Sequence, residues 1–294
     1  MNNNPLRVKR SVLILYLFPG VALFLGFVIL PLLLSMRYSF FSWNGGAAMR
    51  FVGLGNYLEL AKDPDFWNSF KNNIIVIVLC IIGQLGFALL LCGLFTSKLL
   101  KLKEFHRTVM FIPVVLSAIV VGFIWTLIYN KDLGILNMIL KALHLQALIQ
   151  PWLDDPKIVM FSVSAPLIWQ YIGEYLIIFM AAVQSIDKSV LEVSEIDGCT
   201  GFNRLRYIIA PLISDTIKVA VMLCISGNMK VFDHIYVMTG GGPGNSSMVM
   251  AQYAYKTSFQ QFKLGYGSTI SVGILILSLT IIFISRKLGE RKQA

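Results

Sequence analysis

Residues 12–36 read VLILYLFPGVALFLGFVILPLLLSM, an apolar run without a single charged side chain, and this run sets the class of protein. A helix needs about 20 predominantly apolar residues to cross the hydrocarbon core of a bilayer. The run exceeds that length, and it is also longer than the apolar region of a cleavable signal peptide. Arg37, Tyr38 and the residues after them are typical of a membrane interface rather than of a cleavage site. We therefore predict a retained membrane-spanning helix.

Further apolar segments of similar length follow along the chain. Six segments in all have the length and apolarity of a membrane span: 12–36, 72–97, 108–130, 158–186, 207–229 and 264–285. The fourth contains one acid, Glu174. The fifth contains Asp215 and Lys218, which could pair on one helix face because they are three residues apart. The pattern predicts an all-α integral membrane protein with six transmembrane helices.

The composition supports this class and excludes several others. Of the 294 residues, 56% are hydrophobic and only 14% are charged, with a mean hydropathy of +0.73, whereas a soluble domain is nearer a quarter charged. This composition excludes a disordered chain and a nucleic-acid-binding tail. A disulfide-stapled secreted module is also excluded, because the four cysteines form no CxxC pair. We find no repeat or separate soluble domain. The predicted organisation is a tail at 1–11, a transmembrane domain at 12–285 and a second tail at 286–294.

The basic residues predict the orientation of the spans. Of the 25 lysines and arginines, 14 fall in the segments 1–11, 98–107, 187–206 and 286–294. These four segments lie on one side of a six-span chain, and cytoplasmic loops carry an excess of Lys and Arg. We therefore predict that both termini are cytoplasmic.

The loop between the fourth and fifth spans contains a short amphipathic helix pattern. Asp187 is a suitable N-cap and Gly198 a suitable C-terminal stop. One face is apolar: Val190, Val193 and Ile196. The other face carries acids: Glu192, Glu195 and Asp197. Because helices that lie on lipid favour Lys and Arg, the acids favour docking to a cytoplasmic protein partner.

The sequence offers no convergent set of catalytic or metal-ligating residues. The histidines His106, His144 and His234 are scattered and form no HExxH pattern, and the serines lack a GxSxG elbow. The glycine-rich segment 240–247 lacks the lysine of a Walker A loop, and Pro243 removes one N–H donor from any phosphate cradle. We predict no catalytic residue, no metal site and no bound cofactor. If the chain does active work, the energy must come from another subunit or from an ion gradient.

The amphipathic segment resembles the EAA loop of binding-protein-dependent ABC importer permeases. That pattern is Glu-Ala-Ala, three residues, Gly, nine residues and then Ile-x-Leu-Pro. Glu192, Gly198, Ile208 and Pro211 match in register. The two alanines and the leucine are replaced here: Val193, Ser194 and Ala210.

Further segments resemble the sugar-type branch of these permeases, which includes the maltose and glycerol-3-phosphate systems. The matching segments are 51–57 (FVGLGNY), 63–67 (DPDFW), 231–243 (VFDHIYVMTGGGP) and 265–268 (GYGS). The resemblance extends over about residues 11–288. Within the branch, the glycine–proline motif is typical of the first of two unlike permease subunits.

The resemblance implies a set of partners and a location. It implies a heterodimer with a second permease, two cytoplasmic ATPase subunits that bind the ATP, an extracytoplasmic solute-binding protein that delivers a sugar, and no nucleic acid. The location implied is the plasma (inner) membrane of a prokaryote, in contact with lipid. The chain itself is then not an enzyme. The residues implied in coupling to the ATPase are Glu192, Glu195, Asp197 and Gly198.

The substrate pathway is predicted from the intramembrane acid. Placing Glu174 in the middle of a bilayer costs about 2.5–3.5 kcal/mol on insertion scales, so it should face a polar cavity. Gln170 and Tyr171 share its helix face and Trp169 is nearby, a combination that suits sugar hydroxyls and C–H faces. Additional candidates near the outer end of the fifth span are Asn228 and Asp233. The alternative for Glu174 is a structural hydrogen bond between two spans.

Two other functions compete with an ABC permease. A secondary transporter would show paired broken helices with ionisable groups in related halves. An intramembrane enzyme would show a metal cluster or a nucleophile pair. The sequence has one clear intramembrane acid and no duplicated pattern, which favours the ABC permease.

Overall fold

The computed structural model describes residues 10–96 and 100–290, and in this part the chain is mainly helical. Residues 1–9, 97–99 and 291–294 lie outside the described residues, including Lys98, most of the first predicted tail and the last four residues of the second. The chain divides into two compact units. The first ends at Lys62 and includes Ala254–Gly273, and the second comprises Asp63–Tyr253 and resumes at Ile274.

The first unit begins with the apolar run that opened the sequence. Its elements before Asp63 are α1 (Arg10–Phe24), α2 (Leu30–Tyr38), β1 (Phe41–Ser42), β2 (Arg50–Phe51) and α3 (Gly55–Lys62). A π-helical turn, Leu25–Ile29, joins α1 to α2 without a break. No residue of the 27-residue stretch Val12–Tyr38 is buried, and most of its side chains are exposed. An apolar helix with no buried residue is suited to contact with lipid or with a partner helix.

A buried asparagine organises the chain that follows α2. Asn56 donates hydrogen bonds from its amide to the carbonyl oxygens of Ser39 (2.8 Å) and Phe41 (3.1 Å). The hydroxyl of Thr269 donates to the same Ser39 oxygen at 3.1 Å. Asn56 belongs to the segment 51–57 that carried part of the resemblance, so this segment has a structural role in the first unit.

The helices after Asp63 belong to the second unit, except for the parts that fall within 254–273, which belong to the first. In chain order the helices are α4 (Pro64–Cys80), α5 (Gly86–Thr96), α6 (Lys103–Val115), α7 (Ala118–Ile128), α8 (Ile135–Ala142), α9 (Val159–Gln184), α10 (Lys188–Ile196), α11 (Gly201–Arg204), α12 (Ala210–Leu212), α13 (Ser214–Met229), α14 (Asp233–Thr239), α15 (Met250–Tyr255) and α16 (Leu264–Glu290). Two π-helical turns, Ile81–Leu85 and Leu205–Ile209, join α4 to α5 and α11 to α12.

Helix α9 is the centre of the second unit. It packs against α4, α5, α6 and α13, and the side chains of Leu167, Leu176 and Phe179 are fully buried. A helix that is covered on several sides buries apolar residues all round rather than in a single stripe. This explains why 158–186 is apolar almost throughout, with Glu174 as the exception.

The spanning helices agree with the predicted segments in position but not always in shape. Four helices are long and apolar enough to cross a membrane: Val12–Tyr38, Pro64–Thr96, Val159–Gln184 and Leu264–Gly289. The predicted third and fifth spans are instead pairs of helices, α6 with α7 at 97° and α11–α12 with α13 at 81°. Pro113 and Pro211 lie just before the two bends, and proline removes a helical hydrogen bond and clashes with the preceding turn. A count of six requires that each bent pair is one span.

The pair predicted within the fifth span is confirmed. The Lys218 ammonium lies 2.9 Å from the Asp215 carboxylate on α13. The aspartate side chain is 83% exposed, so this pair contributes little to stability.

One close helix contact depends on a glycine. A Cβ atom built on Gly173 of α9 would lie 2.1 Å from the carbonyl oxygen of Met110 on α6. We expect Gly173→Ala to push α6 away from α9 and to lower the free energy of unfolding by about 1–3 kcal/mol. Thermal unfolding of the purified protein in one detergent measures this. Gly86→Ala on α5 is the matched control, because no atom lies within 4 Å of its Cβ position. Equal unfolding midpoints for the two variants would contradict the close contact.

Candidate functional site

Helix α10 forms where the loop pattern predicts it and uses both predicted caps. The Asp187 carboxylate accepts a hydrogen bond from the Ser189 N–H at 2.9 Å, and this bond lowers the pKa of Asp187. At the other end Gly198 has a φ of +72°, which favours glycine. Its N–H donates to Glu195 and the N–H of Cys199 donates to Ser194, which is a Schellman motif. The ends of α10 are therefore fixed by local hydrogen bonds.

The apolar residues of α10 face outward. The predicted stripe of Val190, Val193 and Ile196, here called the α10 stripe, is exposed, and the Ile196 side chain is 84% exposed. The opposite side of the helix holds it to the second unit, since Leu191 packs against the buried core and Ser194 is buried. The stripe is thus a presented surface rather than part of the core.

The four predicted coupling residues lie together around this stripe. The acids Glu192, Glu195 and Asp197 are exposed, as is Gly198. Only three residues, 185–187, separate α10 from the end of α9. A force applied to α10 would therefore act on α9 directly, because a helix moves as a unit.

The second candidate site is a cavity of about 470 Å³ within the second unit. Four of the predicted pathway residues line it: Tyr171, Glu174, Asn228 and Asp233. The rest of the wall includes Gln84, Tyr175, Lys230 and Phe232. Two carboxylates, one ammonium group, amides and aromatic rings thus face one space, which can both hydrogen-bond hydroxyl groups and stack on apolar faces.

The other two predicted pathway residues point elsewhere. Gln170 is buried and donates from its amide to the carbonyl oxygen of Leu116 at 2.9 Å, while its own oxygen contacts the His234 ring. Trp169 packs edge-on against Trp125 with ring centroids 6.1 Å apart. Both side chains join α9 to neighbouring helices and do not line the cavity.

Gln84 lines the cavity and is absent from the predicted site. It lies in the π-helical turn after α4 and is 1% exposed. Its amide donates to the carbonyl oxygen of Leu167 at 3.0 Å, and Cys224 contacts its oxygen at 3.5 Å. The sequence did contain a signal for Gln84, because it is an amide in the middle of a charge-free span. Such amides commonly form hydrogen bonds to a neighbouring helix.

A second buried amide fixes the end of α13 beside the cavity. Asn73, which is fully buried, donates to the carbonyl oxygen of Asn228 at 2.9 Å. It also accepts a bond from the N–H of Met250 at 2.8 Å. One side chain therefore satisfies the last turn of α13 and the first turn of α15, and it holds Asn228 in the cavity wall.

The glycine–proline loop is attached to the start of α4. The Asn245 amide donates to the Asp65 carboxylate at 3.0 Å, and Asn68 donates to the Asn245 carbonyl oxygen at 2.9 Å. Asp63, the N-cap of α4, accepts a bond from the Tyr253 hydroxyl at 2.6 Å. The start of α4 is therefore hydrogen-bonded to Asn245 and Tyr253, which follow the segment 231–243.

The sequence matches a known family model over most of its length. Residues 90–292 match the model described as binding-protein-dependent transport system inner membrane component. The matched range contains α10 and all cavity residues except Gln84.

Individual relatives match nearly end to end. The probable ABC transporter permease protein YurN of Bacillus subtilis is 34% identical, with 95% of this chain and 97% of that protein covered. The lactose transport system permease protein LacF of Rhizobium radiobacter is 28% identical, with 92% and 91% covered. A solved bacterial alginate ABC transporter, in complex with an alginate pentasaccharide-bound periplasmic protein, has a chain with the same fold. That chain gives a TM-score of 0.81 at 19% identity, with 96% of this chain and 94% of that chain covered.

Proposed function

Since the chain belongs to the family of binding-protein-dependent transport system inner membrane components, we propose that it is the permease subunit of an ABC importer that takes up a carbohydrate. The single observation that carries the carbohydrate assignment is the cavity that joins Glu174, Asp233 and Lys230 to three aromatic rings. The lactose permease among the relatives supports the same class of substrate.

Membership in this family removes the two competing functions. A permease of this family is a membrane subunit of an importer, so the chain is neither a secondary transporter nor an intramembrane enzyme. It is a multi-pass membrane protein that works with a binding protein. ATP hydrolysis takes place in partner subunits.

We propose a complex of two unlike permeases, two cytoplasmic ATPase subunits and one extracytoplasmic binding protein. The glycine–proline motif at Gly240–Pro243 favours the first permease position of the sugar-type branch. Both termini then lie in the cytoplasm, as the distribution of basic residues predicts.

The coupling step is assigned to α10. Its outward stripe is apolar and its acids are exposed, which suits a groove that has apolar walls and basic residues at the rim. Glu192 anchors the helix through a charge-assisted contact with the ATPase. When ATP closes the ATPase pair, α10 transmits the movement to α9, which carries Tyr171 and Glu174 in the cavity wall.

The substrate step is assigned to the cavity. Sugar hydroxyls exchange hydrogen bonds with Glu174, Asn228 and Asp233, and Tyr171 stacks on a C–H face of the ring. Glu174 lines the cavity together with Tyr171, Asn228 and Asp233. This favours a role in the pathway.

Co-purification and ligand binding test the proposal together. A tagged chain extracted from native membranes is expected to bring down a second permease and an ATPase. The solute-binding protein encoded beside it is expected to bind a mono- or oligosaccharide in a thermal-shift screen. A chain that purifies alone, or a binding protein that selects amino acids or metal ions over sugars, would contradict the proposal.

A further inference from the structure

Helix α8, between α7 and α9, presents an apolar surface that the transport mechanism does not use. Its outward residues, here called the α8 stripe, are Ile135, Met138, Ile139 and Leu143. They recur at i, i+3, i+4 and i+8, which places them on one face of a helix. Met138 is 57% exposed and Leu143 is 62% exposed. A contiguous apolar face of this kind marks an interaction surface.

The opposite face of α8 fixes the direction of the stripe. Asn137 is fully buried and donates to the carbonyl oxygen of Lys131 at 3.0 Å. Its own oxygen accepts a bond from the Trp152 indole N–H at 2.8 Å, and Trp152 stacks on Tyr129 at a centroid distance of 6.0 Å. This network of hydrogen bonds and ring contacts holds the opposite face of α8 inward. The exposure of the stripe therefore follows from a specific orientation of the helix and not from loose packing.

The surroundings of the stripe identify what covers it. On the preceding helix α7, Phe123 and Leu127 are also exposed, so an apolar surface extends from a predicted membrane span into α8. Within α8 the one charged residue is Lys141, which is exposed, and the helix carries no acid; Lys131 and Asp132 are exposed just before it. Basic residues beside an apolar helix face favour the bilayer interface, in contrast to the acids of α10. Tyr129 and Trp152 at the base of α8 are the residue types that membrane interfaces enrich.

We propose that α8 is an interfacial helix that lies on the bilayer surface opposite α10, with its stripe in the boundary between headgroups and acyl chains. Helices of this kind bury their apolar face about 5–10 Å deep. Because Trp152 binds Asn137 and precedes α9 by only a few residues, α8 holds the outer end of α9 at the membrane surface.

Depth-dependent fluorescence quenching tests this proposal in the intact complex in vesicles. Cys199, the one native cysteine that is not buried, is replaced by serine, and an environment-sensitive label is attached at Met138→Cys. Phe123→Cys, an exposed position on a predicted membrane span, is the apolar comparison, and Asp154→Cys, an exposed acid, is the polar comparison. Each label is exposed to lipids with a shallow or a deep spin quencher and to aqueous iodide.

The label at Met138 is expected to emit further to the blue than the label at Asp154 and to lose most intensity to the shallow lipid quencher. Strong quenching by iodide with no quenching by lipid would overturn the proposal, since the stripe would then face water. Protection from both quenchers would also overturn it, because a protein partner would then cover the stripe.

Discussion

Replacing Glu192 with glutamine is expected to reduce ATP-driven uptake about tenfold or more while the ATPase subunits continue to hydrolyse ATP. The substitution keeps the shape of the side chain but removes its charge. A hydrogen bond to a charged group is worth about 1.5–3 kcal/mol, and each 1.4 kcal/mol corresponds to a factor of about ten in affinity. The uptake of labelled sugar and the release of phosphate are measured on the same vesicles. Glu59→Gln, an exposed glutamate on α3, is the matched control and should leave both rates unchanged.

Gly198→Ala tests the coupling role of α10 through the backbone conformation at its C-terminal end. No atom lies within 4 Å of a Cβ at Gly198, so any defect comes from its φ of +72° rather than from a clash. A left-handed conformation costs a residue with a Cβ roughly 1–2 kcal/mol, which would change the direction of the chain after α10. Gly244→Ala is the control because it combines a φ of +62° with open space in a different loop.

The outcomes separate coupling from folding. Loss of uptake in Glu192→Gln and Gly198→Ala, with normal amounts of complex in the membrane, supports the coupling role. Normal uptake by both variants would refute it. An equal defect in Gly244→Ala would show that backbone strain, and not the position of Gly198, is responsible.

Replacing Glu174 with glutamine is the second substitution expected to have a large effect. In the cavity wall a hydrogen bond from a sugar hydroxyl to the carboxylate contributes about 1.5–3 kcal/mol, against about 0.5–1.5 kcal/mol for a bond to a neutral amide. We therefore expect the substrate concentration for half-maximal uptake to rise about tenfold or more, or the range of accepted sugars to change. The measurement is uptake against sugar concentration, with the binding protein saturated in a parallel series.

Glu104→Gln is the control for this substitution. Glu104 lies on α6, its side chain is 82% exposed, and it pairs with Arg107 at 3.5 Å outside the cavity. If Glu174→Gln kept the wild-type concentration dependence and the same range of sugars, Glu174 would have no place in the pathway. A fall in the unfolding midpoint without a change in transport would instead support the structural alternative.

The local features of α10 were predictable because they depend on neighbours in the sequence. The Asp187 cap reaches two residues ahead, and the turn at Gly198 joins atoms within five residues. The same holds for the Asp215–Lys218 pair, which spans a single helical turn. Capping and i, i+3 rules describe interactions of this range directly.

The polar network of the second unit was not predictable in the same way. Gln84 and Asn73 find their partners in Leu167, Asn228 and Met250, which are between 83 and 177 residues away in the chain. The spacing of Gln170 placed it on the same face as Glu174, but its long side chain turns toward Leu116 and His234 instead. Helical spacing predicts only the face of the helix on which a side chain lies. The hydrogen-bond partners of its polar atoms depend on the residues that pack around it.

The bends in the third and fifth predicted spans were missed for a related reason. A straight helix and two helices that meet at a bend can have apolar runs of the same length, so the length of the run does not reveal a bend. Pro113 and Pro211 were the available signals, since a proline inside an apolar run weakens the turn before it. The angles of 97° and 81° depend on the packing of α7 and α13 against other helices.

Reconstitution into sealed vesicles tests the central claim most directly. Vesicles receive the chain alone, the chain with its partner permease, or the full set with the ATPase and the sugar-loaded binding protein. Sugar should accumulate only in the full set, only with hydrolysable ATP inside the compartment that corresponds to the cytoplasm, and not with a non-hydrolysable analogue. Accumulation by the chain alone, with no ATP-hydrolysing subunit present, would contradict the assignment of this protein as a permease that depends on separate ATPase subunits.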